Sequence, residues 1–252
     1  MNAETATDRK AGGFPWVLVV SSLVALAILV SLGNWQVGRL AWKEDLLATI
    51  DSRIHAEPVP LEKAFEKMAD GEDIEYLPVE VSGTFVPNAE QHLLSTWNGV
   101  SGWNVYQPLR LDDGAVLFVN RGFVPFDRKD PETRPESRPR GEQALTGLAR
   151  LPLSTKPGFL VPDNDPAANE YYWKDLAAMT RAAGLEGEEV LPLFVDAGPY
   201  DDPQVLPIGG VTNIDLPNNH LQYAVTWYGL AISLVGVVAV FLIRRYRGGP
   251  AS

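Results

Sequence analysis

The chain has no cysteine, and only three histidines and three methionines among its 252 residues. Without thiols, an exported domain cannot rely on disulfides and must be held by a packed core. The same lack removes thiolate ligands for copper or iron–sulfur clusters, and Met1, Met68 and Met179 are too scattered to form a thioether site, which argues against copper delivery. Histidine is the remaining transition-metal ligand, yet His55, His92 and His220 stand far apart. Neither a G-x-S-x-G elbow nor an H-E-x-x-H zinc helix occurs, and no nucleophile, base and orienting group fall together, so an ordinary enzyme is not expected. Basic charge is also short: 21 Lys and Arg face 32 Asp and Glu, for a formal net charge of −11. Nucleic acid is therefore a poor partner.

Charge is absent altogether from two stretches, Ala11 to Gly38 and Leu216 to Ile243. The first centres on FPWVLVVSSLVALAILVSL, and the second ends at RRYR. The hydrocarbon core takes about 20 helical residues to cross, so each reads as a transmembrane helix. Ala25-Leu26-Ala27 resembles a signal-peptide cleavage site, but the apolar run continues beyond it, which favours an uncleaved anchor. Arg9 and Lys10 precede the first span, and Arg244, Arg245 and Arg247 follow the second. By the positive-inside rule both termini are expected in the cytoplasm. The expected division is a cytoplasmic N-terminus at 1–13, spans at 14–37 and 220–243, an exported, acidic, β-rich domain at 38–219, and a cytoplasmic C-terminus at 244–252. Acids within MNAETATDRK are unlike an organellar transit peptide, which points to a two-pass protein of a bacterial plasma (inner) membrane with a periplasmic domain and membrane lipid around its spans.

Beyond the first span, Leu46, Leu47, Ile50 and Ile54 recur at helical spacing, so the helix is expected to leave the membrane and stop at His55-Ala-Glu-Pro58. A short helix fits Leu61, Phe65 and Met68, with Gly71 as its stop. Period two then takes over in YLPVEVSGTF, in Glu90 to Trp97, and in GWNVYQPLRLD and AVLFVNRGFV, joined by Asp113-Gly114 as a tight primed turn. DRKDPETRPESRPR reads as a solvated loop, with partner docking as the alternative. GEQALTGLARL and Val190 to Ala197 read as further strands, and NEYYWKDLAAMTRAAG as an amphipathic helix capped by Asn169 and closed by Gly184. The fold class is α+β: two transmembrane helices flank an exported, mainly antiparallel β domain, a small barrel or sandwich, with one packed amphipathic helix.

His220 follows Pro217-Asn218-Asn219, so it falls in the first turn of the second span, where the positive helix end disfavours a protonated imidazole. Neutral imidazole is the form that binds metal. Tyr223 and Trp227 share its face at i+3 and i+7, giving half of a haem site, while the alternative is an interfacial histidine bonded to water or a headgroup beside ordinary interfacial aromatics. On the first span Leu32, Trp35, Arg39 and Trp42 form a stripe at the same depth, with Gly33 and Gly38 allowing close helix approach. Arg39 there can pair with a propionate, with Glu44 and Asp45, or with headgroups. Arg121, in a strand, reads as structural.

LGNWQVGRLAWK, GWNVYQPL, VNRGFVP, YYWKDLAAM and NNHLQYAVTWYGL, in that order, closely resemble the successive signature blocks of the surfeit locus protein one family. The resemblance implies a non-enzymatic assembly factor for cytochrome c oxidase that binds haem a for delivery to oxidase subunit I. The histidine of the NNH block, here His220, is the ligand it implies. The competing reading is a haem-free scaffold that stabilises subunit I or recruits the haem a synthase.

Overall fold

The computed structural model describes residues 14–202, 205–212 and 218–247, which divide into two compact units: a pair of long helices, and a domain from Thr49 to Ile214. The terminal expectations for residues 1–13 and 248–252, with Arg9 and Lys10, lie outside the described residues. In the first unit α1 (Trp16–Ile54) and α4 (His220–Arg247) are both long and apolar enough to cross a membrane. As expected, α1 runs without interruption past the apolar stretch and ends at Ile54, just before His55.

The two helices pair antiparallel through a narrow seam. The Phe14 and Tyr246 rings meet at 6.3 Å at one end, while Gly33 and Asn34 meet Tyr228 farther along. Any Cβ at Gly33 would come within 2.7 Å of the Tyr228 ring, so the absent side chain is what lets the helices approach here. Small Ala224 and Ala231 are buried on the facing side of α4. The Tyr228 hydroxyl donates to Asn34 Oδ1 at 2.7 Å, so the two polar groups satisfy each other across the seam.

The second unit is a seven-stranded mixed sheet built from β1 (Val59–Pro60), β2 (Pro78–Phe85), β3 (Gln91–Trp97), β4 (Val100–Arg110), β5 (Val116–Pro125), β6 (Glu142–Arg150) and β7 (Val190–Ala197). Pairing runs β2–β6–β7–β5–β4, and β4 returns to β2 at Thr84–Arg110 and Phe85–Leu109, so five strands close a small barrel. Strand β3 extends it beside β4, and β1 lies along β2. The β1–β2 and β5–β7 pairs are parallel; the remaining pairs are antiparallel, so the expected antiparallel character holds for most of the sheet but not all of it.

Strand β5 is buried on both faces, and its alternate side chains serve different cores. Leu117 and Val119 join Leu193, Val195, Val79 and Val81 inside the barrel, where α2 (Leu61–Ala69) adds Leu61 and Ala64. Val116 and Phe118 point the other way and pack with Phe194, Tyr106, Tyr171 and Met179 beneath α3 (Leu176–Ala182). Two amphipathic helices therefore pack on the sheet rather than one. The second is shorter than its sequence pattern suggests, because Asp175 caps it by accepting from the Ala178 N–H. Asn169 is not the cap: its side chain donates to Glu90 O at 2.8 Å and accepts from the His92 N–H, tying the preceding loop to β3. The β4–β5 connection also differs from expectation. Leu111 and Ala115 close a three-residue loop in which Gly114 alone among its residues has positive φ, so it is a turn followed by a left-handed residue and not a primed two-residue turn.

The charged loop after β5 departs most from its sequence reading. It forms three short 3-10 turns, Phe126–Arg128, Pro131–Thr133 and Pro135–Ser137, and Arg134 within it is fully buried. Glu90 accepts from Arg121 at 2.8 Å through one oxygen and from Arg134 through both, making a buried Arg–Glu–Arg triad. The remaining guanidinium donors reach Gln107 Oε1, Ser137 Oγ and the backbone carbonyls of Arg128, Lys129 and Ser137. Proline-set turns bring those carbonyls to a charge that composition alone assigns to solvent. Arg121 enters the triad because the register shifts between Val105 and Tyr106, pairing them with Gly122 and Asn120 and leaving Arg121 as the extra residue of a bulge. Gly122 has φ +129° and presses its α-carbon against the Ile208 carbonyl, where a Cβ would lie 2.0 Å from the oxygen. The expected structural role of Arg121 thus has a specific form.

Breaking a buried ion pair by removing one partner costs about 3–5 kcal/mol, so Glu90→Ala, which strands two guanidiniums, is expected to lower stability by at least that much in denaturant melts of the full chain. His92 gives a pH-dependent counterpart. It is buried beside Trp103, and burial pushes its pKa from 6.5 down to about 4, with the Arg134 and Lys129 charges also lowering it and the Glu90 carboxylate and the Lys129 backbone opposing. Between those two values the unfolded chain binds a proton that the folded chain refuses. Stability therefore falls as pH drops through this window, by about 3 kcal/mol in all, and does not fall further on this account below it. His92→Phe is expected to remove that slope, seen as a smaller loss of melting temperature between neutral pH and pH 5 than in the parent.

Candidate functional site

The expected site residues lie on the helix pair, and the geometry separates them. His220 begins α4; its backbone N–H donates to Asn218 Oδ1 at 3.4 Å, and the Tyr223 N–H bonds to Asn219 O at 3.2 Å. An asparagine pair therefore starts the helix, as the sequence suggests, and holds the imidazole in its first turn. Across the seam His220 Nδ1 lies 2.7 Å from Gln36 Oε1. Gln36 is buried although it sits in a charge-free stretch.

Contact between residues 36 and 220 fixes the register, placing Trp35 and Arg39 within about one helical turn of His220 along α1. The side chains nevertheless diverge. Gly33 and Gln36 are the buried residues of this stretch of α1, Leu29, Leu32, Arg39 and Leu40 are half-buried, and Trp35 and Trp42 are exposed, Trp35 at 57%. Half-buried Arg39 stacks over the exposed Trp42 ring at 4.1 Å. On α4 Tyr223 is 54% exposed, whereas Trp227 is half-buried and its indole N–H is enclosed with no partner among the described residues. The structure thus joins His220 to Gln36 and Arg39 to Trp42, and it leaves Trp35 and Tyr223 facing outward.

Gln36, Asn34 and Tyr228 carry the polar contacts of the seam, and none is evident from the aromatic stripe. The signal that finds them is a polar side chain at i+3 from Gly33 on a lipid-crossing helix, opposite a helix with alanines seven residues apart at 224 and 231.

A single imidazole with one nitrogen engaged by an amide and the other without a partner among the described residues fits one axial position of a haem iron. No group of three or more His, Asp or Glu that could hold a metal ion occurs among the described residues. The second unit offers different chemistry. Asp196 accepts from Asn120 at 2.9 Å, Arg150 at 3.0 Å and Thr212 at 3.1 Å, while Arg150 also donates to Glu75 at 2.7 Å. These buried charges satisfy one another and hold β5, β6 and β7 together. An open groove of about 1120 Å³ beside β6 is lined by residues such as Phe85, Arg138, Leu145, Tyr200 and Leu206, and by no histidine.

The sequence profile of the SURF1 family matches residues 23–232, which take in most of α1, the whole sheet domain and the first part of α4. Surfeit locus protein 1 of Homo sapiens is 38% identical over 245 residues, covering 90% of this chain and 77% of that protein. The protein of the same name from Xenopus tropicalis is 37% identical over 260 residues, covering 96% and 79%. A SURF1-like protein of Monosiga brevicollis is 34% identical over 261 residues, covering 98% and 93%. With the profile spanning helix, barrel and helix in one continuous match, the chain belongs to the SURF1 family.

Proposed function

We propose that this protein is a cytochrome c oxidase assembly factor that holds haem a at the outer membrane interface through His220 and assists its insertion into oxidase subunit I. Family membership supports the assembly role. The observation that carries the haem reading is the His220 ring, anchored at Nδ1 by Gln36 at the start of a lipid-crossing helix. Haem a, when bound, would supply a Lewis-acidic iron, and His220 would hold it through a ring nitrogen. Trp227, next down the same face, lends an apolar wall with an unpaired N–H. Arg39, within about a turn of His220, is the cation for a propionate, and Tyr223 and Trp35 are outward aromatic surfaces against which a macrocycle can lie.

A carrier needs an anchor that is strong enough to capture and weak enough to release. One protein-derived axial bond meets that need, since each tenfold in affinity is about 1.4 kcal/mol and loss of one bond shifts occupancy by orders of magnitude. Arg244, Arg245 and Arg247 at the end of α4 support an orientation with the termini cytoplasmic and the sheet domain across the membrane, which in a bacterial plasma membrane would be periplasmic. Subunit I is then met in the membrane, and the haem a synthase is a further partner on the same surface.

The test is a visible absorption spectrum of protein purified from cells that make haem a, compared with His220→Ala. Parent protein is expected to carry haem a, and the variant to lose at least nine-tenths of it while folding normally by circular dichroism. Equal haem content in both removes His220 from the function, and haem-free parent protein that still restores oxidase assembly in a strain lacking it favours the scaffold reading.

A further inference from the structure

We propose that Gln36 is a positioning residue that fixes the tautomer of His220. Its Oε1 lies 2.7 Å from Nδ1, and a carbonyl oxygen can only accept, so the proton must sit on Nδ1. Nε2 is then the nitrogen with the free lone pair, and it has no hydrogen-bond partner among the described residues. In water, imidazole side chains favour the opposite tautomer, so the helix pair imposes a choice that solvent does not.

The amide is held well enough to impose it. Gln36 is 8% exposed, on the same side of α1 as Gly33. At Gly33 the seam is tight against Tyr228, and the Tyr228 hydroxyl is bonded to neighbouring Asn34. On the other helix the Asn218 side chain and the first helical turn fix the His220 backbone. Ring orientation is thus set from both helices at once. A hydrogen-bond acceptor on the non-ligating nitrogen also raises the basicity of the ligating one, which is how outer partners tune metal-binding histidines. The consequence for haem binding rests on the reading of His220 given above; the tautomer itself does not.

The experiment uses full-length protein in lipid nanodiscs with 15N-labelled histidine, the His220 signals being assigned by their loss in His220→Ala. In haem-free parent protein at neutral pH, Nδ1 is expected to show the shift of a protonated ring nitrogen and Nε2 that of an unprotonated one. Gln36→Leu, which keeps the volume and removes the acceptor, is expected to return the ring to the solvent-favoured tautomer and to weaken haem a binding by about 10–100-fold. Gln36→Glu keeps an acceptor at the same reach and is expected to retain the Nδ1–H form, to restore most of the binding, and to move the haem midpoint potential to a lower value. A parent with the proton on Nε2, or a Gln36→Leu variant with an unchanged tautomer, overturns the proposal. If the tautomer responds as expected but the parent binds no haem a, the haem reading fails and the Gln36–His220 arrangement stands.

Discussion

Glu90 presents one carboxylate to two buried guanidiniums, Arg121 and Arg134, and the sheet domain is arranged so that none of these three charges is left without a partner. The bulge in β5 aims Arg121, the 3-10 turns deliver Arg134 with a ring of carbonyls, and Asn169 grips the backbone of Glu90 itself. Desolvating three charges gains little over an apolar filling of the same shape, but once they are buried any rearrangement that separates them is severely penalised. The triad therefore works as a lock on geometry more than as a source of stability. It holds a loop of unpromising composition firmly against the sheet and covers the neighbourhood of His92 and Trp103, where Lys129 and Phe126 lie on the indole ring.

A similar economy governs the helix pair, with lipid in place of a protein interior as the dry medium. Hydrocarbon gives no reward for associating apolar helices, so the seam depends on close approach at Gly33 and on two polar contacts, Tyr228 with Asn34 and His220 with Gln36. The second of these has a chemical product as well as a structural one, because it determines which ring nitrogen is available. The same contact that helps join the helices orients the His220 ring.

Much of this architecture is legible in the sequence. The two spans were legible from charge-free length alone, and β2 from its alternation, because one face of that strand is wet. The continuation of α1 to Ile54 followed from apolar spacing. The extent of α3 was not legible: Tyr171 bonds as an edge partner to β3 and Asp175 caps later, so local periodicity was overridden by a tertiary contact. Arg134 was invisible because its carboxylate partner is Glu90, on the far side of β4 and β5 in sequence. At the site, His220 stood out for its place at the head of an apolar run, and the family resemblance supplied its chemistry. Gln36 did not, since a lone amide between two aromatic-rich stripes carries no motif; only the register of the two helices gives it meaning.

Strand β5 has one further consequence. Leu117 and Val119 belong to the interior of the barrel and Val116 and Phe118 to the layer under α3, yet they are consecutive residues of a single extended segment. Neither body of side chains owns its wall. Loosening one tilts the strand that the other rests on, and the parallel partner β7 repeats the arrangement with Leu193 and Val195 on one side and Phe194 on the other. The domain therefore has no seam along which to come apart in stages, and barrel and helix layer are expected to melt together in one transition.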